Sequence, residues 1–140
     1  MKRILLLTVC IIATLSSFAQ SGTTGPLTWS ISDSTLTISG TGAMPDYYAT
    51  GTPWYDYRQT IKNVVISDGV TSIGNSAFFG FRSLTSVSIP NSVTRLEGGA
   101  FSDCSALTQI TIPNSVTSIG ANAFHSCFAF HYYSQWCDKH

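Results

Sequence analysis

Apolar positions recur along the second half of the chain at a fixed interval of 23 residues. The segments IKNVVISDGVTSIGNSAFFGFRS (61–83), LTSVSIPNSVTRLEGGAFSDCSA (84–106) and LTQITIPNSVTSIGANAFHSCFA (107–129) align without gaps. Their shared columns are Ile61, Leu84, Leu107; Val64, Val87, Ile110; Ile66, Ile89, Ile112; Val70, Val93, Val116; Ile73, Leu96, Ile119; Ala77, Ala100, Ala123; and Phe78, Phe101, Phe124. So many apolar columns in so short a unit cannot all face one side of a lone strand or helix. Each unit must therefore curl into a coil with an apolar inside, and stacked coils complete a common core. Strand alternation places Val87 and Ile89 on one face and Ser86 and Ser88 on the other, with neighbouring coils pairing in parallel at about 4.8 Å. Pro90 and Pro113 lack an N–H, so they end the ladder and turn the chain. The following VTSI segment is β-rich and reads as a second short strand. Gly74 and Gly120 are expected to turn the chain after it through positive φ, although Glu97 holds that place in the middle unit. The expected fold class is a β-rich solenoid with a short parallel sheet, preceded by a β-hairpin cap.

That cap is read from residues 20–60. LTWSISDSTLTI (27–38) alternates apolar and polar residues on both sides of Ser32, Asp33 and Ser34, which is a hairpin pattern. Leu27, Trp29 and Ile31 share one strand face, and Leu36 and Ile38 share the facing one. Gly40, Gly42 and Pro45 break the strand. Thr52 before Pro53 predicts a helix start, with Trp54, Tyr57, Arg58 and Ile61 at helical spacing. Terminal coils expose their interior unless covered, and this segment is the expected cover. At the other end the period fails: Phe130 and Tyr133 fit their columns, but Gln135 falls where Ile belongs. Residues 130–140 read as either an improvised lid or the end of a shortened array, and an uncovered coil end there would be expected to invite self-association.

LxxVxIPNSVTxIxxxAFxxC resembles the 23-residue leucine-rich repeat of BspA-like bacterial surface proteins, also called the Treponema-type repeat. The resemblance spans 61–129, and LTISGTGAMPDY followed by PWY is similar to the segment that precedes the first repeat in that family. It implies a leucine-rich solenoid without long convex helices, and adhesion to host proteins or matrix.

The leader fits such a destination. Lys2 and Arg3 precede an apolar run from Ile4 to Leu15, and Ser17 and Ala19 supply small residues for cleavage before Gln20. The expectation is a signal peptide over 1–19 and a secreted or cell-surface chain. The run is shorter than the roughly 18 to 20 apolar residues of a membrane span. Ser and Thr supply 37 of the 140 residues and charged residues only 10%, so the polar surface is hydroxylic. Without Lys2 and Arg3, five basic residues face seven acidic ones, which argues against nucleic acid as a partner.

Chemistry of other kinds is thinly represented. Cys104 and Cys127 share a column with Phe81, an apolar slot, and read as buried free thiols; a Cys127 to Cys137 bridge is the alternative. His125, Cys127, His131, Cys137 and His140 match no paired zinc spacing, so no metal or cofactor is expected. The scattered acids form no acid and base pair, and the chain does not read as an enzyme. Contact surfaces remain. The solvent side of the repeat strands carries Asn63, Val65, Ser67, Ser86, Ser88, Gln109 and Thr111, a candidate strip for an extracellular protein or matrix ligand. Tyr47, Tyr48, Trp54 and Tyr55 form the alternative, an aromatic platform for a glycan; the reading the cap itself favours is that Trp54 and Tyr57 pack beneath it while the others stay partly wet.

Overall fold

A computed structural model of the protein describes residues 20–127. The expected leader over 1–19, the tail over 130–140 and the alternative bridge through Cys137 lie outside the described residues. Two sheets and a stack of turns form the three sides of a solenoid. The strands are β1 (Gln20–Thr24), β2 (Leu27–Ser32), β3 (Thr35–Gly40), β4 (Gly42–Ala43), β5 (Asn63–Ile66), β6 (Val70–Ile73), β7 (Ser86–Ser88), β8 (Arg95–Leu96) and β9 (Ser118–Ile119). The first sheet runs β1-β2-β3-β5-β7 and the second β4-β6-β8-β9. Pairing is antiparallel from β1 to β3 and parallel in the rest of both sheets.

The hairpin forms where its alternation places it, but it does more than cover an end. β3 is an in-register member of the first sheet, with Leu36 opposite Val64 and Ile38 opposite Ile66. β4 likewise pairs with β6. Residues 35–57 are thus an irregular first coil. β1, which no apolar pattern announces, adds an outer strand against β2.

The third side consists of turns tied coil to coil. Phe78 N–H donates to Ala100 O at 2.8 Å, Phe101 N–H to Ala123 O at 2.7 Å and Gly80 N–H to Ser102 O at 2.9 Å. Left-handed residues recur here in two columns, Ser76, Gly99, Asn122 and Gly80, Asp103, Ser126. These, rather than Gly74 and Gly120, carry the positive φ of the turns. The small residue at 74 answers a different need: a Cβ there would lie 1.8 Å from Pro45 O.

The rings form a continuous stack inside. Phe78 lies 5.2 Å from Phe101, and Phe101 lies 5.5 Å from Phe124, nearly parallel. Trp54 extends the stack by one ring, 6.0 Å from Phe78, and its indole N–H donates to Ala77 O at 2.9 Å. Truncating a ring in a packed core costs about 3 to 5 kcal/mol, so this stack is a leading stabilising element. The helix expected from Pro53 is only a 3-10 turn at Tyr55–Tyr57, held by bonds such as Tyr57 N–H to Trp54 O. Drawing Trp54 into the ring stack confines the segment to short turns.

Coil contacts are not uniform along the stack. The second sheet continues to β9, but the first sheet stops at β7. Residues 108–112 of the third repeat form no strand, and a cleft of about 510 Å³ opens between Ser88 and Ile89 on one side and Thr111 and Ile112 on the other.

Candidate binding surface

The outward face of the first sheet collects hydroxyls in cross-strand rows. Ser21, Ser30, Thr37, Val65 and Ser88 make one row by direct pairing. Ser32, Thr35, Asn63 and Ser86 make a second. Thr23, Thr28 and Ser39 continue to Ser67, whose hydroxyl lies 3.1 Å from that of Ser39. Ser86 Oγ donates to Asn63 Oδ1 at 3.0 Å, so neighbouring coils also bond across this face. No residue of these rows is charged, and Val65, 37% exposed, is the apolar exception.

Four residues of the sequence-derived strip, Asn63, Val65, Ser86 and Ser88, therefore lie together on one sheet, and Ser67 joins them just past the end of β5. Gln109 and Thr111 are exposed but lie beyond the point where the sheet ends. The rows on β1, β2 and β3 lie outside that strip, because a hairpin that only covers an end would not extend the sheet. The polar positions of its alternation, Thr28, Ser30, Thr35 and Thr37, carried the signal.

The aromatic cluster is dispersed. Trp54 is fully buried in the ring stack, so it offers no face to a sugar; as a glycan-contact residue it is ruled out. Tyr47 packs edge-on against Trp54 at 5.6 Å, with its phenol oxygen 2.5 Å from Thr24 Oγ1, and burial pushes that phenol's pKa up. The Tyr55 ring is covered by the Arg58 guanidinium, 4.0 Å from its centre. Tyr48 alone of the four stands in solvent, 93% exposed.

Cys104 and Cys127 are buried free thiols that tie coils together, donating to Phe78 O at 3.2 Å and Phe101 O at 2.8 Å. The neighbouring Cys127 thiol and burial push the Cys104 thiol up, away from the reactive thiolate. Among the described residues no three His, Cys, Asp or Glu side chains gather to hold a metal ion, and no helix is long and apolar enough to cross a membrane.

Stacked coils with parallel sheets, an inner ring column and scarcely any helix define a leucine-rich repeat solenoid. The family model described as "BspA type Leucine rich repeat region (6 copies)" matches residues 52–135, and the chain belongs to that family of bacterial surface proteins. Among solved structures it is similar to a leucine-rich repeat protein from Eubacterium ventriosum, with 34% identity and a TM-score of 0.73 over 79% of this chain and 30% of that one. It is also similar to a leucine rich cell surface protein from Faecalibacterium prausnitzii, with 28% identity and a TM-score of 0.53 over 79% of this chain and 35% of that one. The chain thus spans about a third of the length of each. No curated protein matches it.

Proposed function

We propose that the chain is an exported, surface-displayed binding module whose uncharged first-sheet face takes an extracellular protein or matrix ligand. The observation that carries this reading is the set of uncharged cross-strand rows, mostly hydroxyls, the first of which runs from β1 to β7 with Val65 as its one apolar member. Such a face desolvates at lower cost than an ionic one, and its hydroxyls serve as donors or acceptors as the partner requires. The family's surface location and the apolar leader support export.

Magnitude sets the mode of use. Five strands about 4.8 Å apart and a few residues long present roughly 300 to 400 Å², about half the 800 Å² per partner of a stable interface. A single copy therefore binds weakly, and useful retention needs repeated display. The test is retention of the chain from Gln20 to His140 on immobilised extracellular matrix proteins, as monomer and on multivalent beads. Val65→Asp, which places a charge among the rows, lowers retention about ten-fold or more while circular dichroism stays unchanged. Equal retention of Val65→Asp and the parent chain would remove this face as the binding surface.

A further inference from the structure

Burial of Trp54 removes the four-residue aromatic platform that the sequence offers as an alternative, but a different site lies at its edge. Residues 44–48 run past the end of the second sheet and are bonded onto the first repeat at three points. Met44 N–H donates to Ser72 O at 3.2 Å, Tyr47 N–H to Asn75 O at 2.9 Å, and Asn75 N–H to Asp46 Oδ1 at 2.8 Å. Gly51 N–H closes the following turn onto Tyr48 O. Tyr47 turns inward onto Trp54, while Asp46 and Tyr48 on either side of it are exposed. Between this segment and the turn of the first repeat lies a concavity of about 470 Å³ lined by Asp46, Tyr47, Tyr48, Ala49, Asn75 and Ser76. That volume falls within the roughly 300 to 1,000 Å³ of small-ligand sites.

We infer that this concavity is a subsite for a neutral sugar residue, with the Tyr48 ring stacking on the C–H face of the pyranose and Asp46, Asn75 and Ser76 bonding its hydroxyls. Three features of the lining select this ligand. An aromatic ring held 93% in solvent is the group a sugar face covers best, being apolar on its faces and polar at its tip. A carboxylate, an amide and a hydroxyl beside it supply both acceptors and donors, which hydroxyl pairs need and a purely apolar or purely cationic ligand does not. The lining holds one acidic side chain and no basic one, so a sialic or uronic acid is repelled. The carboxylate is already oriented, because one of its oxygens accepts from the backbone N–H of Asn75. The site lies beyond the second sheet and shares no residue with the hydroxyl rows of the first, so it is independent of the protein-binding reading.

The experiment is a glycan array carrying neutral hexose and N-acetylhexosamine oligomers beside sialylated ones, probed with the chain from Gln20 to His140 on multivalent beads. Neutral glycans are retained and sialylated ones are not. Tyr48→Ala lowers the neutral signal about two- to ten-fold, and Tyr48→Phe, which keeps the ring, restores most of it. The Tyr48 side chain is 93% exposed, so both variants melt with the parent chain, and both keep the matrix-protein retention that Val65→Asp lowers. Absence of any neutral glycan signal, or an equal signal from Tyr48→Ala, would overturn the assignment. Tyr48-dependent retention on choline beads in place of sugars would also overturn it, by making the site a cation cage.

Discussion

Trp54 and Trp29 pack edge to face, 6.1 Å apart, yet only one indole has a partner for its N–H. Trp54 donates to Ala77 O, whereas Trp29 Nε1 is buried without a hydrogen bond and lies where a Cβ on Gly22 would come within 2.8 Å. The two residues therefore respond differently to the same substitution. Trp54→Phe strands a buried carbonyl, while Trp29→Phe removes a donor that has nothing to bond. Denaturant unfolding should place Trp54→Phe about 1 kcal/mol below Trp29→Phe in stability, at equal m-value. Equal losses would mean that the bond to Ala77 contributes nothing. The sequence places Trp54 beneath the cap but does not reveal which rings it meets. It stacks on Phe78, 24 positions on, so it falls just outside the Phe column of the 23-residue period.

Among elements, the close approach of the 44–48 segment to the first repeat is the most demanding fit. Gly74 sits beneath Pro45 with no room for a side chain, whereas Gly80 has φ +75° and open space around it. Gly80→Ala carries only the left-handed penalty of about 1 to 2 kcal/mol. Gly74→Ala must push the segment off the repeat and break the Met44 and Tyr47 bonds, so it costs more, at least about 3 kcal/mol, in thermal or chemical melts. A smaller loss at Gly74 than at Gly80 would contradict this packing. The repeat strands and the hairpin are legible because period-two alternation is local, running from Leu27 to Ile31 and again from Leu36 to Ile38. The union of cap and sheet was not. Leu36 meets Val64 after 28 residues, so the cap obeys the geometry of a coil without its spacing. β1, QSGTT, has no apolar residue to mark it; it is recruited by the edge that β2 offers. Which of Tyr47, Tyr48, Trp54 and Tyr55 turn inward is hidden for a related reason, since ring burial in the cap depends on tertiary stacking that no local pattern encodes.

For the whole molecule, the three sides of the solenoid end at different heights. The turns and the second sheet bond through to the third repeat, as in Thr117 N–H to Thr94 O at 2.9 Å, while the first sheet ends at β7. Hydrogen exchange should therefore be slow at Ser86, which donates to Lys62 O, and at Thr117, and fast at Thr108 and Gln109 between them in sequence. Uniform protection across all four would show that the third repeat closes fully onto the second.

The bonds between coils have one further property. Thr85 to Lys62, Thr94 to Thr71 and Thr117 to Thr94 each span 23 residues, the same interval as the apolar columns. Tandem copying of residues 84–106 would therefore add a storey of about 4.8 Å whose donors and acceptors find their accustomed mates, whereas insertion of a single codon would leave the coil that receives it one residue out of step with its neighbours. Recombination can thus lengthen or shorten the tower in whole steps, and natural variation in its height should come in multiples of 69 base pairs.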